Sequence, residues 1–287
     1  MKLINYIDLH SHSNLSDGHH PPQNLVDLAR AAGIRTLAIT DHNLVQPDLD
    51  RLRRDNPDME LICGSEISCL YRTADGREIE LHLVALGIDP EEPDMARVLE
   101  INQPDRRPYI NAILDRLRQW GMDLGTYEDL KARFPDTGYL GRMAIATELV
   151  NRHFVRDVDE AFDLYLGGGA GQQRRAYVPN PSRYVSMEEA VAAIEKTGVC
   201  VLAHLWYYNL SMEENHRLLA RFKALGGTAM ETEYRRYTRP QRDALKALAD
   251  RYGLLPSAAS DYHGQSETDS LDNRFPQEIW QALKARL

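Results

Sequence analysis

Cysteine is scarce in this chain of 287 residues: Cys63, Cys69 and Cys200 are its three, and none stand in a C-x-x-C spacing. That excludes a disulfide scaffold, and an odd count without a pairing pattern points to a reducing compartment. Cys63 and Cys200 sit in apolar, strand-like runs and read as buried structural thiols. Long apolar runs are also missing. None approaches the roughly 20 residues that cross a bilayer, so no membrane partner is expected. Nor is there an excess of positive charge. Lys plus Arg number 34 against 43 Asp plus Glu, a formal net charge of −9. Such a surface repels polynucleotide phosphate, which argues against extended nucleic acid as a partner and leaves small anions captured by local cations. The first strand begins almost at the N-terminus, leaving no room for a signal peptide, and a cytoplasmic protein is expected. The Asn14-Leu15-Ser16 and Asn209-Leu210-Ser211 sequons then carry no meaning. Internal repeats and low-complexity tracts are lacking as well, and nothing in the chain speaks to its oligomeric state.

What is present is an apolar fraction of 43%, enough for a sizeable core, in a length that suits one large α/β domain or a core with an insertion. Strands are expected over Leu3–Leu9, Thr36–Thr40, Glu60–Cys63 and Ile79–Leu86, with helices after Pro21-Pro22 and over Pro47–Arg54. This alternation predicts a parallel α/β barrel or sheet. From 90 to 173 the pattern turns helical, over Pro108–Trp120, Tyr127–Arg133, Gly141–Asn151 and Val158–Leu166, and reads as an inserted subdomain. The glycine run Gly167–Gly171 neither follows a strand nor opens a helix, so it reads as a flexible connector rather than a phosphate cradle. The barrel pattern occupies 1–89 and returns over 174–287. A capping box at Ser186-Met187-Glu188-Glu189 opens a helix. Strands Gly198–Ala203, Gly227–Thr232 and Leu254–Ala259 alternate with helices Met212–Ala224 and Arg239–Tyr252.

The ends of these strands carry the chemistry. In Asp8-Leu9-His10-Ser11-His12 two histidines stand two apart, so extended backbone aims both imidazoles to one side. His42, Glu66, His204 and the pair Asp261 and His263 occupy other strand ends, His82 lies on a strand, and Asp17 lies in the first loop. Six of the ten histidines fall at these positions. In parallel α/β barrels reacting groups gather at the carboxyl ends of strands. Imidazole with carboxylate suits Zn, Mn or Fe. The set exceeds what one ion needs, which implies two or three divalent ions with Glu66 as a shared carboxylate. Asp41 lacks a ligand slot and reads as a carboxylate that orients a neighbouring imidazole.

Asp8-Leu9-His10-Ser11-His12 with Ser16-Asp17-Gly18, Thr40-Asp41-His42, Gly64-Ser65-Glu66 and Ser260-Asp261-Tyr262-His263 resembles the polymerase and histidinol phosphatase (PHP) family. The resemblance covers Met1 to about Gly87 and about Pro179 onward. It implies a distorted (β/α)7 barrel with a helical insertion, and metal-dependent phosphoesterase activity. It also implies that His10, His12, Asp17, His42, Glu66, His82, His204, Asp261 and His263 are the metal ligands. The chain departs from many relatives at His204-Leu205, where they carry His-Pro, and at Asp17, where some use histidine. The hydrolysis so implied is attack on phosphorus by a hydroxide shared between metal ions, with His204, His263 or a metal-bound water protonating the leaving oxygen and Asp41 orienting a neighbouring imidazole.

A phosphate ester also needs cations beyond the metals. Arg142 opens a helix at a position where nucleotide-hydrolysing relatives carry Ser-Arg. Arg174 and Arg175 stand where those relatives have lysine, and Arg235 and Arg236 follow a strand on the active face. Trp206, Tyr207 and Tyr208, just after His204, offer aromatic faces for a base or sugar, or ordinary loop packing. The expected substrate is a small phosphorylated metabolite, a nucleotide or phosphosugar, with a ribose cyclic phosphate as one candidate. Alternatives are an amide-bond metallohydrolase, a histidinol-phosphate phosphatase, and a non-catalytic metal-binding module.

Overall fold

The structure, a computed structural model, describes residues 6–103, 105–135, 140–169, 172–173, 175–178, 184–264, 269–271 and 273–287. Two compact units make up the chain: Met1–Ser13 with Gly18–Gln103 and Arg183–Leu287, and Asn14–Asp17 with Pro104–Ser182.

The first unit is built on seven principal strands: β1 (Tyr6–Asp8), β2 (Ile34–Ile39), β3 (Glu60–Arg72), β4 (Glu78–Leu86), and, after the short strands below, β8 (Val199–Leu202), β9 (Ala229–Tyr234) and β10 (Leu255–Ala259). They run side by side as β1-β2-β3-β4-β8-β9-β10. Hydrogen bonds from Leu9 N to Ala258 O (3.1 Å), Asp261 N to His10 O (3.0 Å) and His12 N to Tyr262 O (2.8 Å) join the two ends into a barrel. The expected (β/α)7 architecture is therefore present. Most pairs are parallel, and β2 and β8 bury nearly every residue, as strands covered on both faces do.

The barrel departs from a wholly parallel sheet at β4, which runs antiparallel to both β3 and β8. The expected strand Glu60–Cys63 is in fact thirteen residues long, continuing through Glu66 to Arg72 and turning directly into β4. A Gly-Ser-Glu sequence that reads as a loop becomes strand because β4 pairs with it from Gly64 to Arg72. Two-residue strands complete the barrel sheet: β7 (Val185–Ser186) on β3 and β11 (Phe275–Pro276) on β1.

The helix Gln277–Lys284, unexpected from the sequence, closes one end of this unit. Its Ile279, Trp280 and Leu283 cluster with Ile7, Leu9, Ile62, Val84, Val201 and Ala258. Burying each such side chain contributes roughly 1.5–3 kcal/mol. A carboxylate fastens the plug, since Glu60 accepts from Trp280 Nε1 at 2.9 Å and from Lys284 Nζ at 2.5 Å. Helix Met187–Ile194 carries the expected capping box between Ser186 and Glu189.

The helical insertion begins later than position 90. Helix Pro93–Asn102 belongs to the barrel unit, where Met95 and Val98 pack with Ile67, Leu81 and Val185. Asn102 donates to Ser68 O (2.6 Å) and accepts from Val185 N (3.1 Å), which ties that helix to the sheet.

The second unit contains helices Arg107–Gln119, Tyr127–Arg133, Arg142–Asn151 and Val158–Ala161, the last continuing as a π-helical turn over Phe162–Leu166. Ile110, Ile113, Leu114 and Leu117, at helical spacing, bury one stripe against Leu130, Ile145 and Leu149. The glycine run is in part a strand rather than a connector: β5 (Gly168–Gly169) pairs antiparallel with β6 (Gln172–Gln173). Among the described residues no helix is long and apolar enough to cross a membrane.

Candidate metal centre

The barrel unit gathers its strand-end ligands around one carboxylate. Backbone pairing with β3 continues past the end of β2, since Glu66 N donates to Thr40 O (3.1 Å) and Asn43 N donates to Glu66 O (2.9 Å). This sets His42 beside Glu66. Glu66 is 1% exposed and its two oxygens divide the imidazoles. Oε2 lies 3.3 Å from His10 Nε2, 3.3 Å from His12 Nε2 and 3.0 Å from His42 Nδ1. Oε1 lies 2.9 Å from His82 Nδ1 and 3.0 Å from His204 Nε2.

Four donor atoms form a compact group: His10 Nε2, His12 Nε2, Glu66 Oε2 and Asp261 Oδ1. The two nitrogens are 3.1 Å apart, each is 3.3 Å from Glu66 Oε2, and Asp261 Oδ1 is 3.5 Å from His10 and 3.3 Å from His12. Tetrahedral ligands at the usual 2.0–2.1 Å from a metal stand about 3.3–3.4 Å from one another. Five of the six distances among these atoms are thus close to the spacing that the ligands of one cation keep. His42, Glu66 and His82 make a second group, with ligand atoms within 4.8 Å of one another, so the shared carboxylate is Glu66. His12, His42 and His263 also offer atoms within that distance, and His263 stacks on His12 with ring centroids 4.2 Å apart. His204 Nδ1 is buried with no hydrogen-bond partner among the described residues, a position the protein does not satisfy by itself. The donor set and spacing fit divalent ions.

Electrostatics accord with this. Burial alone would raise the Glu66 carboxyl, but His10, His82 and His42 together hold it well below the usual range. Asp261 is likewise held low, against its burial, by His10 and His263. Burial would lower His10, yet Glu66, Glu231 and Asp261 raise it well above the ordinary histidine value, and Glu66 and Glu80 do the same for His82. Asp8 is pushed up to about 6 by burial, although Ser260 and His10 hydrogen-bond to it.

The backbone here is unusual. His204 (φ 28°) and Asp261 (φ 53°), both at strand ends, occupy the left-handed region, where such residues persist only if their surroundings hold them. The turn after His12 requires Gly18, because a Cβ there would stand 2.3 Å from the His12 carbonyl oxygen.

The remaining expected residues are placed as follows. Both Asp41 oxygens accept from Ser13, from its N–H at 2.8 Å and its hydroxyl at 2.6 Å, so this carboxylate anchors the segment after His12. Asp17 falls in the short segment that groups with the helical unit, where its Oδ1 accepts from Ser16 Oγ at 3.4 Å. Arg236 lies beside the centre: burial opposes its charge, while Asp261 and a hydrogen bond with Tyr207 favour it. Arg235 is held by its N–H to Ala259 O at 3.0 Å. Arg142 and Arg175 belong to the helical unit. Arg142 donates to Leu166 O at 3.4 Å, and the Arg175 guanidinium lies over the Trp120 ring at 4.6 Å. Arg174 lies outside the described residues.

Sequence reasoning passed over Glu231, Glu80 and Tyr234. Glu231 accepts from His10 Nδ1 at 2.6 Å and from His204 N at 2.7 Å. Glu80 is 3.2 Å from His82 Nε2, and Tyr234 donates to Asp261 Oδ2 at 2.5 Å. The one local signal was acidic residues inside an apolar strand, which burial obliges to find partners.

Comparison with known proteins agrees with this geometry. Residues 8–114 match the family model described as the PHP domain. The chain is 31% identical to a 3′,5′-nucleoside bisphosphate phosphatase of Chromobacterium violaceum, covering 98% of this chain and 97% of that one. It is 33% identical to the 5′-3′ exoribonuclease Rnm of Escherichia coli, over 89% of this chain and 84% of that one. A phosphoribosyl 1,2-cyclic phosphate 1,2-diphosphodiesterase of Eggerthella lenta is 26% identical, over 90% and 94%. Among solved structures, one described as an amidohydrolase from Chromobacterium violaceum superposes with TM-score 0.81 at 29% identity, over 98% and 96% of the two chains. A metal-dependent phosphoesterase from Bifidobacterium adolescentis also gives TM-score 0.81, at 26% identity, over 98% and 96%. At 31% identity over nearly the whole of both chains, and with residues 8–114 matching the PHP domain, the chain belongs to the PHP-domain family of metal-dependent phosphoesterases.

Proposed function

We propose that this chain hydrolyses a phosphate ester of a small metabolite, a nucleotide or phosphosugar, at the Glu66 centre. The observation that carries the reading is the spacing of His10, His12, Glu66 and Asp261, whose donor atoms stand 3.1–3.5 Å apart in five of their six pairings. In this reading His10, His12, Glu66 and Asp261 hold one divalent ion, and Glu66 with His42, His82 and His204 holds a second. His263 and Asp17 are the candidates for a third. Bound Mn, Fe or Zn would bring a water toward ionisation near neutral pH and offset charge on the phosphoryl oxygens.

The chain's own groups do the rest. Arg236, beside Asp261 and Tyr207, supplies fixed positive charge for a phosphate, and Arg235 adjoins it. Arg142, Arg174 and Arg175 are candidates for a second anionic group. His204 or His263 delivers a proton to the leaving oxygen, and Asp41 holds the segment that carries His12. The bisphosphate phosphatase and cyclic phosphodiesterase relatives favour a small substrate. The exoribonuclease relative brings an RNA 5′ end into the test beside them.

That test is release of phosphate or nucleotide, with Mn²⁺ added, from a nucleoside 3′,5′-bisphosphate, a ribose 1,2-cyclic phosphate, histidinol phosphate and a 5′-phosphorylated RNA oligonucleotide. An N-acyl amino acid serves as the amide control. Turnover of one of the small esters above the others is the expected result. Cleavage of the amide alone, or of nothing, is incompatible with the reading.

A further inference from the structure

Six of the seven barrel strands lead to a ligand candidate: β1 to His10 and His12, β2 to His42, β3 to Glu66, β4 to His82, β8 to His204 and β10 to Asp261 and His263. Strand β9 leads to none. It carries instead Glu231, 1% exposed, whose two oxygens serve two different ligand residues. Oε1 faces His10 Nδ1 at 2.6 Å, 221 positions away, and Oε2 faces His204 N at 2.7 Å, 27 positions away.

An ionised carboxylate only accepts hydrogen bonds, so both partners must donate. The proton on His10 is thereby assigned to Nδ1. In the neutral ring that a metal ion requires, Nε2 then keeps its lone pair, on the side of His12 Nε2 and Glu66 Oε2. The opposite tautomer would set an unprotonated nitrogen against a carboxylate in a buried site and aim an N–H at the ligand group. At His204 the same carboxylate acts on the backbone. The left-handed conformation there (φ 28°, ψ 54°) turns the side chain so that Nε2 reaches Glu66 Oε1 at 3.0 Å. Its N–H would otherwise be a buried donor at a strained residue.

We propose that Glu231 is a positioning residue of the metal centre: one carboxylate that sets the His10 tautomer and holds the His204 backbone, so that both imidazoles meet Glu66. The inference rests on the reading of the Glu66 cluster as a metal centre. Glutamine cannot replace it. Its amide oxygen can accept from His10 Nδ1, but its amide nitrogen then opposes the His204 N–H, donor against donor.

Mn²⁺ titrated calorimetrically into the metal-stripped full chain, unsubstituted and as Glu231→Gln, tests this. Outer partners of metal-bound histidines typically contribute 10–100-fold in affinity, and a loss of that order is expected in a variant whose circular dichroism and melting profile remain those of a folded protein. Unchanged affinity in a folded Glu231→Gln overturns the inference alone. An unsubstituted chain that takes up no Mn²⁺ overturns the metal reading and the inference with it. If the variant does not fold, long-range ¹⁵N–¹H correlation on the unsubstituted chain decides. A proton on His10 Nδ1 supports the proposal, and an unprotonated Nδ1 overturns it.

Discussion

Glu66 Oε1 lies 2.9 Å from His82 Nδ1 across the antiparallel pair β3–β4. Glu66 is opposite Val84 and His82 is opposite Ser68, so the two are diagonal neighbours on one face of the ladder. His82 therefore reaches the centre from within a strand rather than from a strand end. Its other nitrogen, 3.2 Å from Glu80, is fixed by a residue on its own strand.

Glu66→Gln should remove the shared ligand and neutralise the charge that the imidazoles surround. Bound metal is expected to fall by at least one ion per chain. Turnover should fall by more than the roughly 100-fold that loss of an outer partner costs. Elemental analysis after dialysis, alongside hydrolysis of a chromogenic phosphate ester, checks both. Full metal content with normal turnover would be fatal to the shared-carboxylate scheme.

His82→Ala separates the two ligand groups. It breaks the set His42, Glu66 and His82 and spares His10, His12 and Glu66. One ion should be lost and one retained, with activity reduced and the fold intact. Loss of all metal would mean that the groups do not bind independently.

Leu283→Ala removes a fully buried side chain from the helix that closes the barrel unit. A loss of about 2–5 kcal/mol in unfolding free energy is expected from the cavity. Denaturant titration measures it, and Mn²⁺ affinity should be unaltered because that helix carries none of the candidate ligands. A loss well under 1 kcal/mol would show that the plug contributes little.

Glu60 supplies a pH dependence. Burial would raise its carboxyl, but hydrogen bonds from Lys284, Trp280 and Thr36 outweigh burial and lower it below the ordinary value of 4.5. A carboxyl depressed on folding stabilises the folded chain fully above 4.5, and that contribution fades as pH falls through the lowered folded value. The stability advantage of the unsubstituted chain over Glu60→Gln should therefore be flat at neutral pH and shrink in acid. Since Glu60 is partly exposed, solvent screens the effect. A difference that grows on acidification would contradict the assignment. Melting temperatures across pH provide the measurement.

Which side chains gather around Glu66 was legible in large part because residue type and place along an apolar run are local properties. His10-Ser11-His12 announces two imidazoles on one side of extended backbone, and their Nε2 atoms do meet at 3.1 Å. His42, Glu66, His204 and Asp261 were marked the same way, by a carboxylate or imidazole closing an apolar run. The helices and their caps followed from 3.6-residue spacing and from Ser186 with Glu189. Tertiary structure alone decided the rest. Strand direction leaves no mark on an apolar run, so β4 read as one more parallel strand until its pairing with β3 and β8 turned it round. Where the insertion starts depended on which surface helix Pro93–Asn102 found to cover, and that surface is the barrel. Glu231 joins His10 to His204 across 221 and 27 positions, and no pattern along the chain records such a pairing. The candidate ligands were written in neighbouring residues; what holds them was written only in the fold, because a buried hydrogen bond belongs to two distant segments at once.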